Sequence, residues 1–144
     1  MQTKYRKTIL PFLLLLPIIL FAQHREKTFV KSFNLNGNST VYFDLKGETE
    51  VKVWSEGQVR VLMTVQLENG SEAMLISLMK AGRYNIQSGE KDRGFSIFAP
   101  QLDKQVIMRN GQPLHEKITY TVYAPAQIQV YTRDEIGELT LSSF

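Results

Sequence analysis

The run from Val51 to Leu67, Val-Lys-Val-Trp-Ser-Glu-Gly-Gln-Val-Arg-Val-Leu-Met-Thr-Val-Gln-Leu, limits more than any other stretch what this chain can fold into. Val51 and Val53 alternate with polar neighbours, Ser55 to Gln58 supplies a turn containing Gly57, and Val59, Val61, Met63, Val65 and Leu67 resume the period of two. Side chains alternate across a strand, so this pattern predicts a hairpin with one wet and one dry face. A dry face of that size has to be covered, and the flanking sequence must supply the cover.

The flanks read mostly as strands. Phe29, Phe33 and Leu35 share a parity in Lys27 to Leu35, Asn36 to Ser39 is a turn by composition, and Val41, Phe43 and Leu45 share a face before Lys46-Gly47-Glu48 turns the chain again. Glycine-bearing turns this closely spaced predict a β-meander. Between Glu72 and Ala81 the period changes: Met74, Leu75, Leu78 and Met79 fall at helical spacing, with Ser71 as N-cap and Gly82 as the terminating residue. That apolar stripe either packs on the sheet or roofs an apolar cavity. Further strands are predicted over Arg83 to Ser88, Phe95 to Ala99, Lys104 to Met108, Ile118 up to Pro125 and Gln127 onward, with Gly89 to Gly94 a charged loop and Asn110-Gly111 a tight turn. The expected fold is mainly β: an antiparallel meander or sandwich, or a short solenoid-like domain, with one amphipathic helix on the sheet.

The first 22 residues read as an export signal. Lys4, Arg6 and Lys7 precede an apolar stretch from Ile9 to Ala22, and Leu20-Phe21-Ala22 places a small residue at the cut before Gln23. That stretch has 14 residues, against about 20 for a membrane-spanning helix. Residues 1–22 are therefore expected to be a cleaved signal peptide and 23–144 a single β-rich domain, exported to the periplasm, the cell surface or the medium, with no transmembrane segment after cleavage. Three of the 17 Lys and Arg go with the signal, leaving 14 basic against 14 acidic residues. The surplus positive charge belongs to the address, which argues against a nucleic-acid partner. With no cysteine in the chain, disulfides, thiolate catalysis and zinc–thiolate sites are excluded.

Several pieces resemble one family. Val51-Lys-Val-Trp54 with Gly57 and Val59-Arg-Val61, then Tyr120-Thr-Val-Tyr-Ala-Pro125, then Ile128-Gln-Val130 leading to Gly137-Glu-Leu-Thr-Leu141, look like the N-terminal portion of adhesin-type proteins of the DUF4097 family. The resemblance implies an exported bacterial β-protein of short glycine-punctuated strands, with Gly137 to Leu141 as an opening rung, and it brings no catalytic residue. The helix at Glu72 to Ala81 departs from that pattern.

No constellation for chemistry stands out. His24 follows the predicted cut, and His115 beside Glu116 is either an exposed residue at a strand start or half of an acid–base pair. Asp134, Glu135 and Glu138 are the best-spaced acidic group for a cation, but they have an ordinary structural explanation and no metal site is expected. No cofactor is expected. Trp54, at a strand end, either covers the core edge or offers a face to a sugar, and Lys80, Arg83, Lys91 and Arg93 would form a basic surface if they gather at one end of the sheet. The expected function is a non-enzymatic interaction or structural module with a protein or glycan partner, in which strand edges can self-associate. The alternative is a periplasmic carrier of an apolar ligand.

Overall fold

The computed structural model describes residues 25–91 and 94–135. The expected signal peptide and the rung Gly137 to Leu141 lie outside the described residues, as does Arg93. Along the described chain run β1 (Glu26–Asn34), β2 (Thr40–Asp44), β3 (Glu48–Trp54), β4 (Gln58–Leu67), α1 (Glu72–Lys80), β5 (Gln87–Lys91), β6 (Gly94–Phe98), β7 (Glu116–Pro125) and β8 (Gln129–Thr132). They form two four-stranded sheets, sheet A in the order β1-β4-β7-β3 and sheet B in the order β5-β6-β2-β8. Both sheets are mixed: β3 runs parallel to β7, and β2 runs parallel to β6 and to β8. No closed or solenoid-like sheet is present among the described residues.

The expected dry faces of β2, β4 and β7 are buried. Val59, Val61, Met63, Val65 and Leu67 on β4, Tyr120, Val122 and Ala124 on β7, and Val41, Phe43 and Leu45 at β2 are all buried in one cluster. Phe43 of sheet B meets Tyr120 of sheet A edge-on, with ring centroids 5.3 Å apart, so the two inner faces share this core.

The pairing differs from a meander. Only β5 and β6 are neighbours both in the chain and in a sheet. The expected hairpin of β3 and β4 does not form, because β7 enters between them and pairs with both. The link Ser55 to Gly57 spans the end of β7, where Pro125 lies opposite Trp54; proline has no N–H with which to carry the ladder further. The physical reason is charge. β3 carries Glu48, Glu50 and Lys52 along its outer face and suits an edge, whereas β7, beyond Glu116 and Lys117, has no charged residue and buries Tyr120, Val122 and Ala124, which suits the middle of a sheet. As a result Val51 and Val53 lie on the inner side yet remain 44% and 71% exposed, beyond the reach of sheet B.

The helix follows its sequence signals. Ser71 Oγ accepts the Met74 N–H at 3.2 Å, and Gly82, at φ +78°, lets its own N–H and that of Arg83 reach the carbonyls of Met79 and Leu78. Leu75 is fully buried in the core cluster, and Met74, Leu78 and Met79 pack against it. Of the expected strand from Arg83 to Ser88 only Gln87 and Ser88 belong to a strand, β5, and Gly89 to Lys91 and Gly94, expected in a loop, are residues of the paired strands β5 and β6. Lys104 to Met108 is irregular, held at its end by the Gly111 turn.

Gly47 takes the chain from sheet B to sheet A at φ +151°. A Cβ there would sit 2.5 Å from the Ile118 carbonyl oxygen and 2.9 Å from the Tyr120 ring. Gly47→Ala is therefore expected to lower stability by about 3 kcal/mol or more, because both backbone conformation and space forbid it. Gly57→Ala, where a Cβ meets nothing within 4 Å, should stay within about 0.5 kcal/mol of the parent. Urea denaturation of the two variants checks the contrast.

Candidate functional site

The most polar part of the interior is a clamp at the start of β7. Glu116 has the inward parity of Ile118 and Tyr120, so its carboxylate faces the core and needs a partner. Arg83, just past the helix, supplies it: Nε donates to one carboxylate oxygen at 2.9 Å and Nη2 to the other at 2.5 Å. Nη1 donates to the carbonyls of Gln101 and Lys104 at 2.8 and 2.9 Å, and the Tyr84 hydroxyl donates to Glu116 at 2.6 Å. Burial alone would push the Glu116 carboxyl up, but the hydrogen bonds from Arg83 and Tyr84, with the Arg83 charge, hold it below the usual carboxylate range. Burial, followed by the carboxylate it serves, pushes the Tyr84 phenol up. Four of the five Arg83 N–H donors, the Tyr84 hydroxyl and both Glu116 oxygens are engaged with other protein groups, as in a structural clamp.

The sequence-derived basic surface is revised by this placement. Arg83 is only 8% exposed and is spent on Glu116. Lys80 is exposed on the last turn of α1, and Lys91 reaches Asp44 at 3.3 Å while lying 4.0 Å over the Phe98 ring. Arg93 lies outside the described residues. The patch therefore reduces, among the described residues, to two exposed lysines, one of them already paired. His115 is exposed, and the Glu116 carboxylate beside it belongs to the clamp. Glu135 accepts from the Thr132 N–H and hydroxyl, and no three His, Asp or Glu side chains converge among the described residues.

Two hollows flank the Lys46-Gly47-Glu48 crossover. One, of about 440 Å³, is bounded by Leu102, Leu114, Lys117 and Thr119, and the other, of about 530 Å³, by Leu45, Thr49, Thr132 and Arg133. Both are open and of mixed polarity. Neither is bounded by Met74, Leu75, Leu78 or Met79.

The third hollow breaks the wet-face rule. The outer face of sheet A carries Glu26, Thr28, Ser32, Thr64, Gln66, Lys117, Thr119 and Thr121, as an exposed face should. At one end that pattern gives way to Val30, Leu62, Tyr123 and Trp54, which with Arg60 bound a hollow of about 350 Å³. Sheet register assembles it: Val30 lies opposite Leu62, and Arg60 opposite Tyr123. Trp54, from the end of β3, leans across these rows. Its ring lies 5.6 Å from Tyr123 and 4.7 Å from the Arg60 guanidinium, and its Nε1 donates to the Gln58 carbonyl at 2.9 Å. Arg60 Nε donates in turn to Ser32 Oγ at 3.2 Å. Val30 is 62% exposed. Of the residues singled out from sequence, Trp54 alone belongs here, and it stands on the outer face and not over the core. Val30, Arg60, Leu62 and Tyr123 were missed; the available signal was a large apolar residue on the wet parity of each strand.

Comparison with known proteins returns nothing: no family model, no curated protein and no solved structure matches this chain.

Arg83→Ala strands the Glu116 charge and should destabilise the fold by about 3–5 kcal/mol. Because the folded-state value of Glu116 lies below its ordinary 4.5, the stability it contributes is present above that pH and is lost as pH falls through the lowered value; Glu116→Gln should flatten this acid limb in a series of thermal melts. The Tyr120 hydroxyl is buried without a protein partner among the described residues. Tyr120→Phe should therefore be neutral or stabilising by about 1 kcal/mol, measured by chemical denaturation.

Proposed function

We propose that this protein is an exported, non-enzymatic interaction module of the adhesin kind, and that it engages a glycan through the outer face of sheet A. The reading rests on one observation, the Trp54–Tyr123–Arg60 hollow on a face that is otherwise polar. Apolar groups clustered on a wet face mark contact sites, since scattered single residues cost nothing but a contiguous patch is retained for a use. Two aromatic planes suit the C–H faces of a pyranose ring, and the Arg60 guanidinium adds hydrogen-bond donors at the rim. The export signal at residues 1–22 and the resemblance to DUF4097-type adhesins support the same reading. So does the clamp, whose charged groups are occupied in holding the fold.

Trp54 is the only tryptophan in the chain, so its fluorescence reports on this hollow alone. Titration with a panel of soluble oligosaccharides should shift its emission saturably for the sugars that bind. Tyr123→Ala and Arg60→Ala should each weaken that binding by about tenfold or more without moving the melting temperature by more than a few degrees. An emission that no sugar perturbs, or binding unaffected by both substitutions, would remove the glycan from the proposal and turn the search to protein partners for the same face.

A further inference from the structure

We infer that β3 is a self-pairing edge, and that two copies of this chain join through it into one continuous eight-stranded sheet. The four sheet edges are not alike. β1 places Lys31 on the inner side, where its Nζ donates to the Ile86 carbonyl and lies 5.5 Å from the Phe33 ring, and an inward lysine is a common guard against edge pairing. β5 is five residues of polar sequence around Gly89, and β8 has only four residues. β3 is seven residues long with no proline, glycine or inward charge, and among the described residues nothing pairs with its outer edge. On its inner side Val51 and Val53 are left uncovered by sheet B.

The sequence of β3 selects both the partner and the register. In an antiparallel pair the residues directly opposite share a face, so two copies can meet only in registers that set outer residues against outer ones. Centring the two-fold axis on Lys52 sets that lysine against its own copy with no opposite charge facing it. Centring it on Glu50 sets the glutamate against its own copy, so that the flanking Glu48–Lys52 pairs are opposed by a like pair at the axis and Val51 meets Thr49. Centring it on Val51 sets Glu50 against Lys52 of the other copy and Lys52 against Glu50, two complementary pairs with no like pair. It also sets Val51 against Val51 and Thr49 against Val53, so the uncovered valines of both copies form one apolar strip. Within one chain Glu50 and Lys52 already stand on the same face with their charged groups 3.1 Å apart, and both are well exposed. Exchange of these partners across the axis therefore needs no rearrangement of either strand. The second copy is thus the occupant that β3 fits by charge and by face. The two Trp54 hollows would then lie on the same side of one sheet, roughly 20 Å apart along the strands.

One seven-residue strand pair is a small interface, so the dimer should dissociate in the micromolar range. Sedimentation of protein expressed from the full chain, across low to high micromolar concentrations, should show a monomer–dimer equilibrium. Glu50→Lys and Lys52→Glu should each weaken it at least tenfold, and the double swap should restore it, because reversed charges are again complementary. The chain has no cysteine, so Val51→Cys gives a clean probe: the two copies' Cα atoms at the axis would be about 4.5–5.5 Å apart, within disulfide reach. It should crosslink to itself on oxidation, while Val53→Cys, displaced by four residues or about 13 Å from its own copy, should not. A monomer at every concentration overturns the proposal. So does a dimer indifferent to both charge reversals, or one that crosslinks at position 53 in preference to 51. This test is independent of whether a sugar binds at Trp54.

Discussion

The rest of the structure depends on a carboxylate that the strand pattern forces inward. Glu116 opens β7 on the same parity as Tyr120 and Val122, so once those residues are buried its side chain is left only 9% exposed at the edge of the core and needs a partner. Arg83 answers it with two hydrogen bonds and spends a further nitrogen on the carbonyls of Gln101 and Lys104. One guanidinium thus fixes the end of α1, the crossover from β6 and the first residue of β7. A slip of β7 by two residues would keep its inward parity but carry Glu116 away from Arg83 and leave the guanidinium buried without its carboxylate. The pair therefore specifies register as much as it stabilises, in a place where hydrophobic alternation alone would tolerate a shift by two.

That role explains where sequence reading succeeds and where it stops. Periodicity says which side of a strand is dry, and it did so for β2, β4 and β7. Local capping chemistry found α1 with its N-cap and its glycine terminus. Neither says which strands are neighbours, because pairing is decided by contacts between residues far apart in the chain. The Val51 to Leu67 run looks like a hairpin because its two halves alternate and a turn joins them. What separates them is a more apolar strand, β7, from much later in the sequence. Arg83 looks like surface charge for the same reason: its partner is 33 residues away. The sign that something lay opposite was Glu116 itself, an acidic residue on the parity of Ile118, Tyr120 and Val122.

The aromatic hollow was hidden by a related effect. Val30, Leu62 and Tyr123 are each ordinary when met singly, since lone apolar residues are common on exposed strand faces. Only the register of three strands makes them neighbours. Trp54 could be noticed alone because it is the one residue of its kind, but its choice between core edge and outer face depends on β7 lying beside β3.

The hollow and the β3 edge both stand where the division into wet and dry faces fails, and they meet at Trp54, the last residue of β3. The parts of the hollow are held by the sheet and not by mobile loops: the indole N–H is anchored on Gln58, the guanidinium lies against the ring, and Ser32 holds Arg60 from the neighbouring strand. A side chain already confined in this way loses little freedom when it meets a partner, so even a small contact area can return most of its interaction energy as affinity. Pairing through β3 would extend the same logic. It would present two such fixed surfaces from one rigid sheet, and two weak sites held at a set spacing can grip a repeating partner far more firmly than either does alone.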